Sequence, residues 1–471
     1  MVALIAVLNK RGEDATQTAI KMLKTLKLKE AKTFGIASPT AVRIGKTIET
    51  LQDSKLGAPV MIGSVFSKTL TADSPQPLKL KDATLVFEGE IHPTVTGESD
   101  VEAFIRKAEG GFALAGAKTD TIIAGRDVLG IYPFYYGENA DWIALASVRR
   151  ALWGIGIEKA ISFPPGYISI ITKLGFKFKP VKTFIRSKPK PITMQAAVRR
   201  LHMLLQNSIM KKVSGVKEVA LPFSGGLDSS VIAILAKSSG TSVHLIHVSL
   251  ANQLETEHAE KAAKELDLPI HVEIYDEEDV ERDLPKVLWL IEESNPVKTS
   301  IGIPIYWAAE KAAEMNIKVM VAGQGADELF GGYKRHVDTY LRHGSEKAQE
   351  AIFKDITGMY EANFERDVKI CSYHGEDLRL PFATYEMVRF AIGLPVDLKM
   401  EQSTNTLRKL ILRQLARDLG LPKFVAEKPK KAIQYTTGTS KALRKLAKRN
   451  GLTVNDYLDK IFQIAIKDDA K

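Results

Sequence analysis

The chain has 471 residues, a formal net charge of +10, and 45% hydrophobic against 26% charged residues, the balance of a globular protein of two or three domains. Its one cysteine, Cys371, excludes an intramolecular disulfide framework, a cysteine-cluster metal site and paired-cysteine sulfur chemistry. No run of 18 apolar residues occurs, and the N-terminal MVALIAVLNKRGED is too short and wrongly flanked for a signal peptide, so no membrane association and a cytoplasmic location are expected.

Up to about residue 185 the apolar runs VALIAVL, APVMIGSVF, ATLVFEGEI, GGFALAG, DTIIAGRD, WIALAS and GYISIITK are separated by turns, with helical periodicity at 16–27 and 99–109. This pattern predicts an α+β domain of packed sheets. The stretch SKPKP, Ser187–Pro191, reads as a stiff charged linker and divides the chain into domains 1–190 and 191–471. Helix and strand then alternate: helices at 194–211, 229–237, 257–266, 277–293 and 305–315, strands at 218–222, 243–249, 270–274 and 319–322. That rhythm predicts an α/β doubly wound parallel sheet, with ligands at the carboxyl ends of its strands. Residues 294–304 read as a loop, and everything beyond about 333 as helical.

Two loops fall where such a sheet binds ligands. In VALPFSGGLDSSVI, residues 219–232, a strand ends in Ser224-Gly225-Gly226-Leu227-Asp228-Ser229-Ser230 and a helix begins. Small residues let the backbone approach closely, and loop amides at a helix N-terminus attract an anion. No G-x-x-x-x-G-K-[ST] string occurs, so this is not a Walker A loop. In AGQGADELFGGY, residues 322–333, Asp327 and Glu328 follow the next strand. Asp228 and Asp327 together suit Mg²⁺, which takes one or two carboxylates plus phosphate oxygens. Between Arg408 and Arg449, thirteen Lys/Arg face two acids, which suits nucleic acid, a polyphosphate or simply a solvated helix face. Only Phe424 and Tyr435 are available there to stack on bases, so nucleic acid is not expected.

SGGLDSS resembles the pyrophosphate loop of N-type ATP pyrophosphatases, and AGQGADELFGGY the matching loop of asparagine synthetases. Arg366-Asp367, HGEDLRLPF (374–382) and KPKKAIQYTTG (428–438) continue the likeness. In the first domain RDVLGIYPFYYG (126–137), FEGEIH (87–92), GESD (97–100) and FPPGY (163–167) resemble class II glutamine amidotransferase signatures. The resemblance to the glutamine-hydrolysing asparagine synthetase family thus spans nearly the whole chain. It implies an Ntn-hydrolase-like sandwich followed by an ATP pyrophosphatase domain with a helical C-terminal part. It further implies ATP and Mg²⁺, and a carboxylate activated as an acyl-adenylate, by default aspartate, which ammonia or an amine attacks. Lys430, Asp327 and Gln324 take the catalytic positions, with Asp228 and Asp327 for the metal. Leu221, Ser224, Gly225, Gly226, Leu227, Asp228, Ser229, Ser230, Val248 and Gly323 take the ATP and pyrophosphate positions. A homodimer and an ammonia-supplying partner are the protein partners expected.

Several positions depart from the family pattern. The family's N-terminal cysteine nucleophile is replaced by Val2, and its oxyanion-hole asparagine by Glu88, whose charge would repel an oxyanion. The first domain is therefore expected to be inactive as a glutaminase. Gln324 replaces a glutamate, and Ser300 an arginine, with Lys298 nearby. His374 and Arg379 read as structural residues. Two other functions fit parts of the pattern: a β-lactam-synthetase-like intramolecular ligase, and a non-catalytic ATP- or RNA-binding homologue.

Overall fold

The computed structural model describes residues 2–469 apart from 30, 53, 55, 69–73, 93–99 and 404–406. It divides into two compact units, Met1–Thr183 with the turn Ser372–Gly375, and Phe184–Cys371 with Glu376–Asp469. The break at Thr183 falls slightly before the expected SKPKP linker.

In the first unit a seven-stranded and a six-stranded sheet pack face to face. The strand Val2–Asn9 is inside the former, antiparallel to Trp142–Ala146 and Val60–Phe66. Period-two alternation sends Leu4, Ala6 and Leu8 into the inter-sheet core, against Val86, Ala115 and Ala124 of the second sheet. Ala3, Ile5 and Val7 point the other way, onto Ala19, Ile20 and Leu23 of the helix Thr16–Lys24. The helix Val101–Lys107 covers the outer face of the second sheet through Phe104 and Ile105.

The RDVLG stretch is a backbone clamp. Asp127 is buried, and its carboxylate accepts from the amides of Phe112, Leu129, Gly130 and Ile131 at 2.8–3.2 Å. Arg126, equally buried, donates to the carbonyls of Phe163 and Gly130 at 2.9 Å.

The second unit holds a five-stranded, wholly parallel sheet in the order Ile270–Tyr275, Ser242–Leu250, Glu218–Pro222, Val319–Val321, Asp377–Arg379. Two expectations need correction. The segment beyond 333 is not wholly helical, because Asp377–Arg379 adds an edge strand from within HGEDLRLPF. Nor is 294–304 a loop, since Pro296–Glu314 is one helix. Asn295 caps it, accepting from the amides of Val297 and Lys298, and Pro296 occupies the first turn, where a missing N–H costs nothing. Pro304, in the interior, deprives the Ser300 carbonyl of its helical donor. The hydroxyl of Thr439 donates to that carbonyl instead, at 2.7 Å.

Asp127→Ala would leave the buried amides of Phe112, Leu129 and Ile131 without their acceptor, while that of Gly130 keeps the backbone carbonyl of residue 127 at 3.1 Å. The expected loss is roughly 3 kcal/mol at about 1 kcal/mol per orphaned donor, read as a lower Tm and earlier denaturant midpoint of the first unit.

Candidate functional site

A cavity of about 640 Å³ opens at the carboxyl ends of the parallel strands. Ser224, Gly226, Leu227, Asp228 and Ser229 line it from one loop, Gly323, Gln324 and Asp327 from the next, Val248 from the neighbouring strand and Lys430 from the C-terminal region. Of the residues expected from sequence, Leu221, Gly225 and Ser230 do not line it. Leu221 is core at 1% exposure, and Ser230 faces inward from the first turn of the helix Leu227–Ser238.

Gly225 acts through its backbone. Its φ of +63° is left-handed, and a Cβ there would come within 2.9 Å of Ala259 Cα. Its carbonyl meets His258 Nε2 at 2.8 Å, while His247 Nδ1 meets the Phe223 carbonyl at 2.9 Å. Burial pushes both imidazoles below their ordinary value, so at neutral pH they brace the loop without adding charge.

The adjacent strands Glu218–Pro222 and Val319–Val321 deliver Asp228 and Asp327 to one place. Lys409 lies between them, its Nζ 2.8 and 2.6 Å from Asp228 Oδ1 and Oδ2 and 2.8 Å from Asp327 Oδ1. Lys430 Nζ is 2.9 Å from Asp327 Oδ2 and 3.7 Å from Asp228 Oδ2. Two carboxylates and two ammoniums thus neutralise one another. Burial pushes the Asp327 carboxyl up, but Lys409 and Lys430 outweigh it and hold it well below its usual range. Burial likewise works against the Lys430 ammonium, and Asp327 with Asp228 more than restores it. Gly332 is required here, since a Cβ would sit 1.9 Å from Asp327 Oδ1.

Sequence reasoning missed Lys409, whose surroundings TLRKLIL carry no motif. It sits at φ +62°, 1% exposed, just before the helix Leu410–Asp418. It also missed the device that holds both lysines. Buried Arg413 donates to the carbonyls of Arg408, Ala426 and Lys428 at 2.6, 2.6 and 3.0 Å, and Arg408 to that of Lys430 at 2.9 Å. Part of the remaining basic excess is paired on the surface: Lys431 with Glu255, Lys445 with Glu277, Arg449 with Glu281.

Lys298 lines the cavity but is paired with Glu293 at 2.5 Å. Ser300 turns its hydroxyl to the Val297 carbonyl at 2.9 Å. Glu328 is satisfied by Tyr333 and by Asn363, the latter at 2.8 Å. His374 is buried and does not line the cavity, its imidazole pushed down to about 3 by burial and Lys29. Arg379 pairs with Asp377 at 2.9 Å.

A divalent cation fits this centre. Both carboxylates already share one cation position, and buried Asp327 Oδ1 meets Lys409 as a charge without a well-aligned hydrogen bond. Among the described residues no group of three or more His, Cys, Asp or Glu is placed to hold a metal, so the centre offers two carboxylates alone.

In the first unit Val2 is a buried strand residue paired with Phe66. Glu88 is 4% exposed and accepts from the Ser147 hydroxyl at 3.0 Å, and the same hydroxyl oxygen accepts from the Leu4 amide at 3.0 Å. Asp100 caps the helix Val101–Lys107 and pairs with Lys118; residues 97–99 of the GESD string lie outside the described residues.

Because Asp327 is held below the unfolded-chain value near 3.8, it stabilises the fold above that pH, and the contribution is lost as pH falls toward its depressed folded value. Wild-type stability is therefore expected to drop below about pH 4, with a shallower slope in Asp327→Asn, by chemical denaturation across pH. Lys409→Met leaves two carboxylates with one cation and is expected to cost about 3 kcal/mol at neutral pH in the same measurement.

The asparagine synthase family model matches residues 200–348 and 340–461, and a glutamine amidotransferase domain model residues 88–154. A putative asparagine synthetase (glutamine-hydrolyzing) 1 of Methanocaldococcus jannaschii is 30% identical, over 98% of this chain and 98% of its own. An asparagine synthetase (glutamine-hydrolyzing) of Triphysaria versicolor is 24% identical over 72% of this chain and 60% of its own. The chain belongs to the asparagine synthase family, and is an ATP-dependent ligase of asparagine-synthetase type.

Proposed function

We propose that this ligase forms its amide from ammonia or an amine and not from glutamine, activating a carboxylate, by default that of aspartate, with release of AMP and pyrophosphate in the cytoplasm. The observation that carries this reading is the convergence of Asp228, Asp327, Lys409 and Lys430 beside the Ser224–Gly226 loop in one cavity. The loop amides and the helix N-terminus at Gly226 receive the β- and γ-phosphates. Lys430, held cationic by its carboxylates, offsets charge that grows at the α-phosphate as the substrate carboxylate attacks. Asp228 and Asp327 would hold Mg²⁺, which would supply countercharge to a pyrophosphate leaving group. Lys409 and Lys430 then remain as fixed cations while the acyl-adenylate waits for its nucleophile. Lys298, exchanging Glu293 for a ligand, is the cation available to a second carboxylate of the substrate.

The absence of any cysteine from residues 1–183 and the carboxylate of Glu88 support ammonia over glutamine. On this reading ammonia reaches the second unit from solution or from an ammonia-releasing partner.

With Mg-ATP and aspartate, the purified protein is expected to release AMP and pyrophosphate and to form asparagine with ammonium salts, and to yield no glutamate from glutamine. Glutamate production would overturn the ammonia assignment, and ADP with phosphate would overturn the adenylation. Asp228→Asn and Lys430→Met are each expected to slow pyrophosphate release by about 10²-fold or more, as removal of a preorganised charge does.

A further inference from the structure

Gln324 lines the cavity one turn before Asp327, and its amide is not free to rotate. Its Nε2 donates to Asp367 Oδ2 at 2.9 Å. Asp367 is fully buried, and its Oδ1 accepts from Arg366 Nε at 2.6 Å. Arg366 is anchored in turn, with Nη1 donating to the Ala362 carbonyl at 3.1 Å. A carboxylate only accepts hydrogen bonds, whereas a carboxamide has a donor end and an acceptor end. Asp367 therefore dictates which end of Gln324 is spent internally, and the carbonyl Oε1 is the end left for the cavity.

We propose that Asp367 is a positioning residue that, through Gln324, presents a fixed carbonyl acceptor to an N–H donor at the acyl end of the cavity. The donor is either the incoming amine or an amino group of the activated acid; the inference rests on the ligase reading above. An amide oxygen orients an N–H but takes no proton near neutral pH. The nucleophile must then arrive as free base. Its lone pair forms the C–N bond, the bond from the acyl carbon to AMP oxygen breaks with its electron pair on AMP, and the surplus proton of the nitrogen passes to solvent.

The test is steady-state kinetics of amide formation with ammonia, aspartate and ATP each varied, beside aspartate-dependent pyrophosphate exchange. Asp367→Asn and Gln324→Met are each expected to raise one nitrogen donor's KM roughly tenfold, the value of one ordinary hydrogen bond, and by more than the KM for ATP. A rise for ammonia identifies the incoming amine; a rise for aspartate identifies the substrate amino group. Asp367→Glu keeps the acceptor and is expected to restore much of the loss. Gln324→Met leaves the Arg366–Asp367 pair in place and keeps the test informative should Asp367→Asn fail to fold. In wild type, kcat/KM for ammonia is expected to rise with pH as free base accumulates. The double variant Gln324→Glu, Asp367→Asn reverses the polarity of the pair, so a carboxylate at position 324 faces the cavity as a base and that rise flattens. Unchanged KM values for both ammonia and aspartate in Gln324→Met overturn the assignment. Failure of wild type to exchange pyrophosphate with any acid overturns the ligase reading, and the assignment with it.

Discussion

Everything in the second unit converges on four charges, Asp228, Asp327, Lys409 and Lys430, that no local segment could assemble. Asp228 and Lys409 are 181 residues apart in sequence yet share two short contacts. Each carboxylate would be costly in its partly buried place without the lysines, and each lysine without the carboxylates. The parallel sheet supplies the acids by setting two neighbouring strands to end side by side. Arg413 supplies the bases by tying the backbone before Lys409 to the backbone around Lys430. The cluster thus exists only when sheet and C-terminal region are both in place.

Such a neutral cluster suits a polyanionic substrate. Before ATP arrives, the lysines offset the repulsion between the acids and spare the fold an uncompensated charge. On the proposed reading, an arriving polyphosphate would draw the lysines away from the acids, and the acids would then be free to hold a cation. The tight space at Gly332 keeps this exchange local by leaving Asp327 little room to swing elsewhere.

The sheet and both carboxylate loops are legible in the sequence because each is a short string in which a strand, small residues and a charge follow in order, whereas Lys430 is found only through the resemblance of KPKKAIQYTTG to a family motif. Lys409 and Arg413 are not, because a lysine and an arginine in a basic helical stretch look alike whether buried or solvated. Composition likewise cannot divide the thirteen basic residues of 408–449 into two site lysines, a buried backbone clamp and surface ion pairs. Residues 294–304 look like a loop because Pro304 reads as a breaker and masks the Asn295-Pro296 start signal. The edge strand Asp377–Arg379, three residues long, is too short for alternation to show. In the first unit the sandwich is readable from its alternating runs, whereas the Glu88–Ser147–Leu4 contact, which joins distant parts of the chain, is not.

Pro304 has a wider consequence. By emptying one rung of the helix Pro296–Glu314, it makes a wall of the cavity dependent on a hydroxyl contributed from residue 439. The C-terminal helices are therefore not an appendage that could be trimmed to yield a minimal enzyme. Removing them would expose a bare carbonyl beside Ile301 and Lys298 and loosen that wall of the cavity. Variation in the tail, remote in sequence from the Ser224–Gly226 loop, is a route by which this wall of the cavity can change while that loop stays untouched.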